Sequence, residues 1–289
     1  MKTFITYSDE GFLKQRNFAI FMAKLIGNFD NVIAYKPEDI DKEFYENNKT
    51  ILSQKKGGGF WLWKPYFIYK TLEKLGDEDY LFYADAGSFF LKNVDILIAE
   101  LEQSNQDIMA FELPLIESQW TKKELFISME CKENIFSQSN QLMASFFLIK
   151  KSASSMNFFQ QYLNYSCNEN NITDTFDSNI KQCSDFIDHR QDQSIVSLLY
   201  KKYNLKPFKD PSQRGSHPLT YGGSLEKDTI NKNQLNRLKN DRLFRYYDYD
   251  ETYSNVLYHY RRGIPQLNYI KYLIKILLNK FGLYNKLIF

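Results

Sequence analysis

A carboxylate and a glycine follow a short apolar run in the first third of the chain. Residues 80–84 have the length and composition of a parallel strand covered on both faces, and Asp85 and Gly87 come directly after it. Open α/β sheets bind ligands beyond the carboxyl ends of their strands, and glycine lets a backbone approach a ligand closely. Asp85 is therefore the first candidate for holding a metal ion or a sugar hydroxyl. An ordinary turn is the alternative, since Asp and Gly are common turn residues.

A second group of polar residues, from His189 to Ser194, opens an apolar helical run that continues to Leu199. The N-terminus of a helix attracts anions and orients polar side chains. The candidates for binding or catalysis in this group are His189, Arg190, Asp192 and Gln193. Asp192 could instead be the N-cap of the helix, with its neighbours in solvent.

Aromatic rings and a cation come together in residues 61–66. Trp63 beside Lys64 suits the flat face of a base or sugar and the charge of a phosphate. The alternative is that the rings pack at a helix start and that Lys64 is solvated. The three preceding glycines match neither the dinucleotide fingerprint nor a phosphate-binding loop.

An imidazole and two guanidinium groups occur late in the chain. His259, Arg261 and Arg262 lie in or after a strand-like stretch, where they could serve a metal ion and a diphosphate. A lone histidine is more often a structural residue, so this group alone does not predict a site.

Composition limits the classes of function. The chain has 289 residues, 43% hydrophobic and 17% aromatic, which predicts one large domain with a sizeable core. Its 37 Lys and Arg nearly balance 35 Asp and Glu, so no global field favours nucleic acid binding. Three separated cysteines and three histidines predict neither a disulfide framework nor a cysteine-rich zinc site. We therefore expect a cytoplasmic protein, and the short N-terminal apolar run does not resemble a signal peptide.

Strands and helices alternate along the first two-thirds of the chain. This order predicts an α/β domain with a mainly parallel sheet flanked by helices, and a less regular part after Leu205. The expected strands are residues 2–7, 31–35, 80–84, 107–113, 144–149 and 255–260. The expected helices are residues 10–26, 65–75, 94–101, 152–165 and 192–203, and residues 37–52 are expected to form a polar, mostly helical connection.

The last residues carry apolar side chains at helical spacing between lysines, and no acidic residue follows Glu251. This pattern predicts a basic amphipathic helix over residues 266–289 that lies on an anionic membrane surface. A terminal helix docked on the core with its lysines in solvent is the alternative. With this helix set apart, residues 1–265 are expected to form the main domain. The lysines interrupt the apolar stretch, so it does not predict a membrane span.

The chain resembles a group of bacterial glycosyltransferases of the GT-A fold that build surface polysaccharides such as capsule and lipopolysaccharide. The resemblance runs to about Arg262 and rests on residues 61–66, 83–87 and 189–194 taken together. It implies a GT-A-like, Rossmann-type sheet. It also implies transfer of a hexose-type sugar from a nucleotide-diphosphate sugar, most naturally a UDP-sugar, to a glycan or lipid-linked acceptor.

The resemblance implies a metal site that is incomplete. In GT-A enzymes an Asp-x-Asp motif holds a divalent cation, and Asp85 matches the first Asp of that motif. Gly87 stands in place of the second, so a site for Mn²⁺ or Mg²⁺ would lack one carboxylate. His259 is similar to a late histidine that completes the metal shell in several families of this fold.

The resemblance also implies roles around the substrates. Asp192 and Gln193 are similar to a pair that opens a helix beneath the reacting sugar, and His189 with Arg190 would shape the acceptor or diphosphate site. A retaining reaction would place Gln193 or Asp192 near the anomeric carbon, whereas an inverting one would use Asp192 as a base. The residues implied in donor binding are Thr6, Tyr7, Trp63, Lys64, Asp85, Gly87 and Arg261.

Two other functions stay open. A sugar nucleotidylyltransferase on a similar sheet would release pyrophosphate from a nucleoside triphosphate and a sugar phosphate. A non-catalytic carbohydrate-binding or assembly protein is suggested by Gly87, where a second carboxylate would be expected. The expected location is the cytoplasm, with peripheral contact at the inner face of the cytoplasmic membrane.

Overall fold

The computed structural model describes residues 1–215, 253–260 and 263–280. Arg261 and residues 281–289 of the predicted C-terminal helix lie outside the described residues. The strands are β1 (Lys2–Tyr7), β2 (Asn31–Tyr35), β3 (Tyr80–Ala84), β4 (Ser88–Phe90), β5 (Ile108–Met109), β6 (Glu112–Ile116), β7 (Asn140–Leu142), β8 (Phe146–Lys150) and β9 (Leu257–His259). The helices are α1 (Leu13–Met22), α2 (Lys42–Asn47), α3 (Lys49–Leu52), α4 (Gly57–Phe60), α5 (Trp63–Leu72), α6 (Asp95–Gln103), α7 (Glu117–Trp120), α8 (Lys123–Ser128), α9 (Asn134–Ser137), α10 (Ala153–Ser166), α11 (Glu169–Ile172), α12 (Gln191–Lys202) and α13 (Pro265–Lys280).

A five-stranded sheet forms the centre of the molecule, in the order β2-β1-β3-β8-β5. β1 runs parallel to both β2 and β3, whereas β8 is antiparallel to β3 and to β5. Four strands therefore share one direction and β8 opposes them. The predicted α/β fold with a mainly parallel, helix-flanked sheet is confirmed.

Side chains of the central strands alternate between two layers of core. Ile5 of β1 and Tyr83 of β3 pack among residues of α5, α10 and α12 on one face of the sheet. Phe4 and Phe82 pack on the opposite face, with residues of α6. Because a strand points successive side chains to opposite faces, apolar residues at nearly every position of β1 and β3 are what a sheet covered on both sides requires.

The predicted strand over residues 107–113 is wrong as one element. β5 ends at Met109, and the next residues leave the central sheet. The Phe208 N–H donates to the carbonyl of Ala110, and the Glu112 N–H donates to the carbonyl of Phe208. A distant segment thus takes the hydrogen bonds that β8 would have supplied, and β6 pairs with β7 in a separate ribbon.

The predicted helix over residues 10–26 is divided into three parts. A 3₁₀ turn, Glu10–Phe12, precedes α1, and a π-helical turn, Ala23–Gly27, follows it. Asn28 then takes a left-handed conformation with φ 61°, which ends the helix.

A second ribbon brings the late part of the chain to the end of β3. β4 and β9 pair antiparallel, with Ser88 opposite His259. Through this pairing the chain around residue 259 lies beside the turn that contains Asp85 and Gly87. Within the described ranges, no helix is long and apolar enough to cross a membrane.

Candidate active site

A cleft of about 960 Å³ opens at the carboxyl ends of β1 and β3. The end of β1, the turn after β3 and the first turn of α12 form its walls, which is where open α/β sheets bind ligands. The predicted site residues that line it are Tyr7, Trp63, Lys64, Asp85, Gly87, Arg190, Asp192, Gln193 and His259.

A buried lysine joins two carboxylates in the cleft wall. Lys64 Nζ lies 2.7 Å from Asp192 Oδ2 and 3.5 Å from Asp85 Oδ1. The side chains of Lys64 and Asp192 are 3% and 5% exposed, whereas that of Asp85 is 31% exposed. Buried charges are costly unless they are paired, so this triad explains how three ionisable groups share one wall. The alternative of a solvated Lys64 is wrong.

Two tyrosine hydroxyls complete the triad. Tyr162 of α10 donates to Asp192 Oδ2 over 3.1 Å, and the Tyr83 hydroxyl donates to Asp85 Oδ1. Burial raises the pKa of Asp192 above its usual value, although Lys64 acts in the opposite direction. Burial lowers the pKa of Lys64, but the two carboxylates outweigh it and leave the net value raised. The lysine therefore stays protonated at neutral pH.

Asp192 lies in the first turn of α12 and is not its N-cap. Arg190 occupies the N-cap position, and no side chain caps the helix there. The carboxylate of Asp192 is instead directed to Lys64 and Tyr162. The N-cap alternative from the sequence is therefore wrong.

A glycine turn holds aromatic rings at another part of the cleft. Gly57 has φ 59°, and a Cβ there would lie 2.4 Å from the Trp61 ring. The Trp63 indole N–H donates to the Gly57 carbonyl over 2.9 Å. The Trp63 ring stacks on Tyr7 with centroids 3.9 Å apart and planes 20° apart. Glycine is required here because the backbone is left-handed and the ring is close.

Gly87 is set by packing against the late part of the chain. A Cβ at this position would lie 2.6 Å from the carbonyl oxygen of Tyr260, whose N–H donates to the Gly87 carbonyl over 2.8 Å. Such a contact leaves no room for an aspartate side chain. The second carboxylate of an Asp-x-Asp motif is therefore excluded by the path of the backbone.

The described residues do not fit a divalent cation. Among the described residues, no group of three or more His, Cys, Asp and Glu side chains could hold a metal. Asp85 Oδ1 accepts from Tyr83 and faces the Lys64 ammonium, which would repel a second cation. His259 lines the cleft and sets its ring edge-on to Phe146, with centroids 5.1 Å apart.

Two predicted site residues lie behind the cleft wall. His189 is fully buried: its Nε2 donates to the Asn171 carbonyl over 2.8 Å, and its Nδ1 accepts from the Lys122 N–H over 3.5 Å. Burial and the charge of Lys122 lower its pKa to about 3, so the imidazole is neutral. Thr6 is buried within β1. Neither residue lines the cleft.

Arg190 lines the cleft with its guanidinium over the Trp120 ring, 4.2 Å from the centroid. Sequence reasoning missed three residues that shape this region: Tyr162, Gln141 and Glu117. Only their three-dimensional neighbours mark them, because none stands in a recognisable motif.

No protein-family model and no curated protein sequence matches the chain. Similar solved structures include the apo form of the glycosyltransferase GlyE from Streptococcus pneumoniae TIGR4, at 14% identity over 97% of this chain and 63% of that chain, with a TM-score of 0.44. Mouse xyloside xylosyltransferase 1 is 8% identical over 92% of this chain and 99% of that chain, with a TM-score of 0.48. The galactosyltransferase LgtC, in complex with donor and acceptor sugar analogs, is 12% identical over 90% of this chain and 87% of that chain, with a TM-score of 0.43. This chain thus spans less than two thirds of the GlyE chain.

Proposed function

We propose that this chain is a glycosyltransferase. It moves a hexose-type unit from a nucleotide-diphosphate sugar, with a UDP-sugar as the first choice, to a glycan or lipid-linked acceptor in cell-surface polysaccharide synthesis. The observation that carries the proposal is that Trp63 and Lys64, Asp85, and Asp192 with Gln193 all line one cleft. These residues come from the three segments on which the resemblance to GT-A glycosyltransferases rests.

The aromatic part of the cleft suits the donor nucleotide. Tyr7 and Trp63 present stacked rings, and Trp61 lines the same cleft. A flat base or ribose fits against such rings. The cations that line the same cleft are Lys55, Lys64, Arg190 and Arg214. Sugar transfer needs stabilisation of the departing diphosphate, and these cations are the candidates for it.

The two carboxylates have different roles in this proposal. Asp85 is the more exposed of the two and accepts a hydroxyl of the donor sugar or ribose. Asp192 is nearly buried, and both Lys64 and Tyr162 bind its Oδ2. Those partners make it a poor general base, so Asp192 positions Lys64 while Gln193 contacts the reacting sugar.

The C-terminal helix α13 is the part of the chain that we propose contacts the membrane, where a lipid-linked acceptor would lie. Tyr269 and Tyr272 of α13 pack on Phe18, Phe89 and Tyr258. Six aliphatic side chains of α13 are 38–54% exposed. We define them, with the 54% exposed Phe21 of α1, as the apolar surface: Phe21, Leu267, Ile270, Leu273, Ile274, Ile276 and Leu277.

Lysines accompany this apolar surface. Lys271 and Lys275 lie on the same helix, and no acidic residue follows Glu251 in the chain. Apolar side chains with neighbouring lysines match an anionic lipid surface, which is where a lipid-linked acceptor would be presented. Residues 266–289 would thus hold the enzyme at the inner face of the cytoplasmic membrane.

The proposal is tested with the purified full chain and a panel of nucleotide sugars. We expect release of a nucleoside diphosphate from one donor, and Asp85→Asn should reduce that release at least ~100-fold. Because Asp85 is partly exposed, the melting temperature should change little. Pyrophosphate release from a nucleoside triphosphate and a sugar phosphate would instead identify a nucleotidylyltransferase. Thermal stabilisation by glycans without donor turnover would identify a binding protein.

A further inference from the structure

A chain of buried amide and carboxylate groups lies behind Gln193. Gln193 Nε2 donates to Gln141 Oε1 over 2.7 Å, and Gln141 Nε2 donates to Glu117 Oε1 over 3.1 Å. Gln141 and Glu117 are fully buried, whereas Gln193 is partly exposed and lines the cleft. The chain therefore connects the protein interior to the cleft wall.

Every group around the Gln141 nitrogen accepts a hydrogen bond. The Glu117 carboxylate can only accept, and the Trp120 carbonyl lies 3.4 Å away. Thr121 Oγ1 and Ser194 Oγ lie 3.3 Å from Gln141 Nε2. The Thr121 hydroxyl donates its hydrogen to Glu117, and the Ser194 hydroxyl donates its hydrogen to the Trp120 carbonyl. Both oxygens therefore act as acceptors toward Gln141 Nε2. A flipped Gln141 amide would set its oxygen against four acceptors, which fixes its orientation.

The orientation of Gln193 follows from that of Gln141. Gln141 Oε1 accepts, so Gln193 must direct its NH₂ group toward it. Gln193 Oε1 then faces the Ala144 N–H at 3.4 Å, and Ala144 lies in the cleft wall. With the NH₂ group bonded to Gln141, the carbonyl oxygen is the polar atom of Gln193 that keeps a lone pair for a ligand in the cleft, since the Ala144 N–H uses only one.

Glu117 is itself held from the far side. Lys201 Nζ lies 2.5 Å from Glu117 Oε2, and Ser197 donates to the same oxygen. A buried carboxylate with a cationic partner keeps its acceptor character, because the partner balances its charge. The Glu117 carboxylate therefore sets the orientation of the Gln141 amide, which in turn sets that of Gln193.

We infer that Glu117 and Gln141 are positioning residues that orient the Gln193 amide so that its carbonyl oxygen faces the anomeric carbon of the donor sugar. This inference rests on the proposed glycosyl transfer. As the sugar–phosphate bond breaks, the anomeric carbon becomes electron-deficient, and a carbonyl dipole aimed at it stabilises that charge. An inverted amide would present N–H groups and oppose it.

The test uses two substitutions of nearly unchanged volume. Gln141→Met removes the acceptor for Gln193, and Glu117→Gln replaces the acceptor-only carboxylate with an amide that can bond in either orientation. We expect the kcat of donor turnover to fall ~10- to 100-fold in both variants, with the donor KM changed less than about threefold. The matched control is Tyr200→Phe, which removes two hydrogen bonds to backbone carbonyls at the other end of α12. It should leave kcat within about twofold.

A second readout does not depend on activity. In the wild type, the side-chain amide hydrogens of Gln193 should exchange slowly and give a distinct NMR signal, and Gln141→Met should remove that protection while Tyr200→Phe should not. Unchanged kcat in Gln141→Met, or an equal loss of kcat in Tyr200→Phe, overturns the inference while transfer by the wild type stands. A wild type that turns over no donor overturns the proposed function, and the NMR result then still decides whether Gln141 orients Gln193.

Discussion

Two regions of this molecule reverse the usual distribution of side chains. The cleft wall holds three charges, of which Lys64 and Asp192 are buried and Asp85 is partly exposed, whereas the apolar surface on α1 and α13 exposes apolar side chains. In the cleft, Lys64 is the counterion of Asp85 and Asp192, so these charges are paired without a bound substrate. On the apolar surface, nothing in the described residues covers the side chains. In the proposed function, the first region carries the chemistry and the second contacts the membrane.

The largest expected effect comes from removing the cation of the cleft. Lys64→Met would leave Asp85 and Asp192 without their shared partner, and we expect a loss of ~3–5 kcal/mol of unfolding free energy together with loss of donor turnover. Chemical denaturation and donor hydrolysis measure the two effects. The double variant Lys64→Met/Asp192→Asn should regain much of the stability but not the turnover. A stable and active Lys64→Met would contradict the view that the cleft depends on an internal counterion.

The apolar surface gives the next largest effect. Replacing Ile270, Ile274 and Leu277 with serine removes three exposed aliphatic side chains. We expect binding to anionic vesicles to weaken roughly 100-fold, at about 1 kcal/mol for each half-buried side chain, while donor hydrolysis in solution stays unchanged. Ile135→Ser is the control, because Ile135 is 69% exposed on α9. If the triple variant still binds vesicles as the wild type does, α13 does not dock on lipid.

The sequence indicated candidate residues of the cleft, but it did not predict the hydrogen bonds that join distant segments there. Asp85 and Lys64 could be singled out as candidates because each adjoins an element with a strong pattern, a continuous apolar strand or a helix start, and both line the cleft. Gln141 could not be found, since it meets Gln193 across 52 residues of sequence and stands in no motif. The break between β5 and β6 was missed for the same reason, because the hydrogen bonds that cause it come from Phe208.

His189 shows how sharply the cleft wall separates the two kinds of environment. It stands three residues before Asp192, yet its ring is neutral, and its two nitrogens bond to the Lys122 N–H and the Asn171 carbonyl. Its folded pKa of about 3 lies below the ordinary value of 6.5. As pH falls below about 6.5, the unfolded chain therefore takes up a proton that the folded one does not, and stability is lost toward pH 3.

The corresponding variant is His189→Gln, which keeps a donor and an acceptor but does not titrate. Between pH 7 and pH 4.5 both proteins should lose unfolding free energy. We expect the loss to be roughly 2 kcal/mol smaller in the variant than in the wild type. Denaturation curves at the two pH values give this difference, and the carboxylates common to both proteins cancel from it. Identical losses would mean that His189 titrates normally in the folded state.

The smallest expected effect is that of a divalent cation. Lys64 lies between the carboxylates, the backbone of Tyr260 excludes a side chain at Gly87, and the described residues hold no group of three or more His, Cys, Asp and Glu side chains that could bind a metal. We expect donor turnover to change less than about threefold on addition of Mn²⁺ or of a chelator. Loss of wild-type turnover with the chelator, and its return with Mn²⁺, would show that a metal serves the diphosphate and that the cleft is completed from outside, as the apolar surface is.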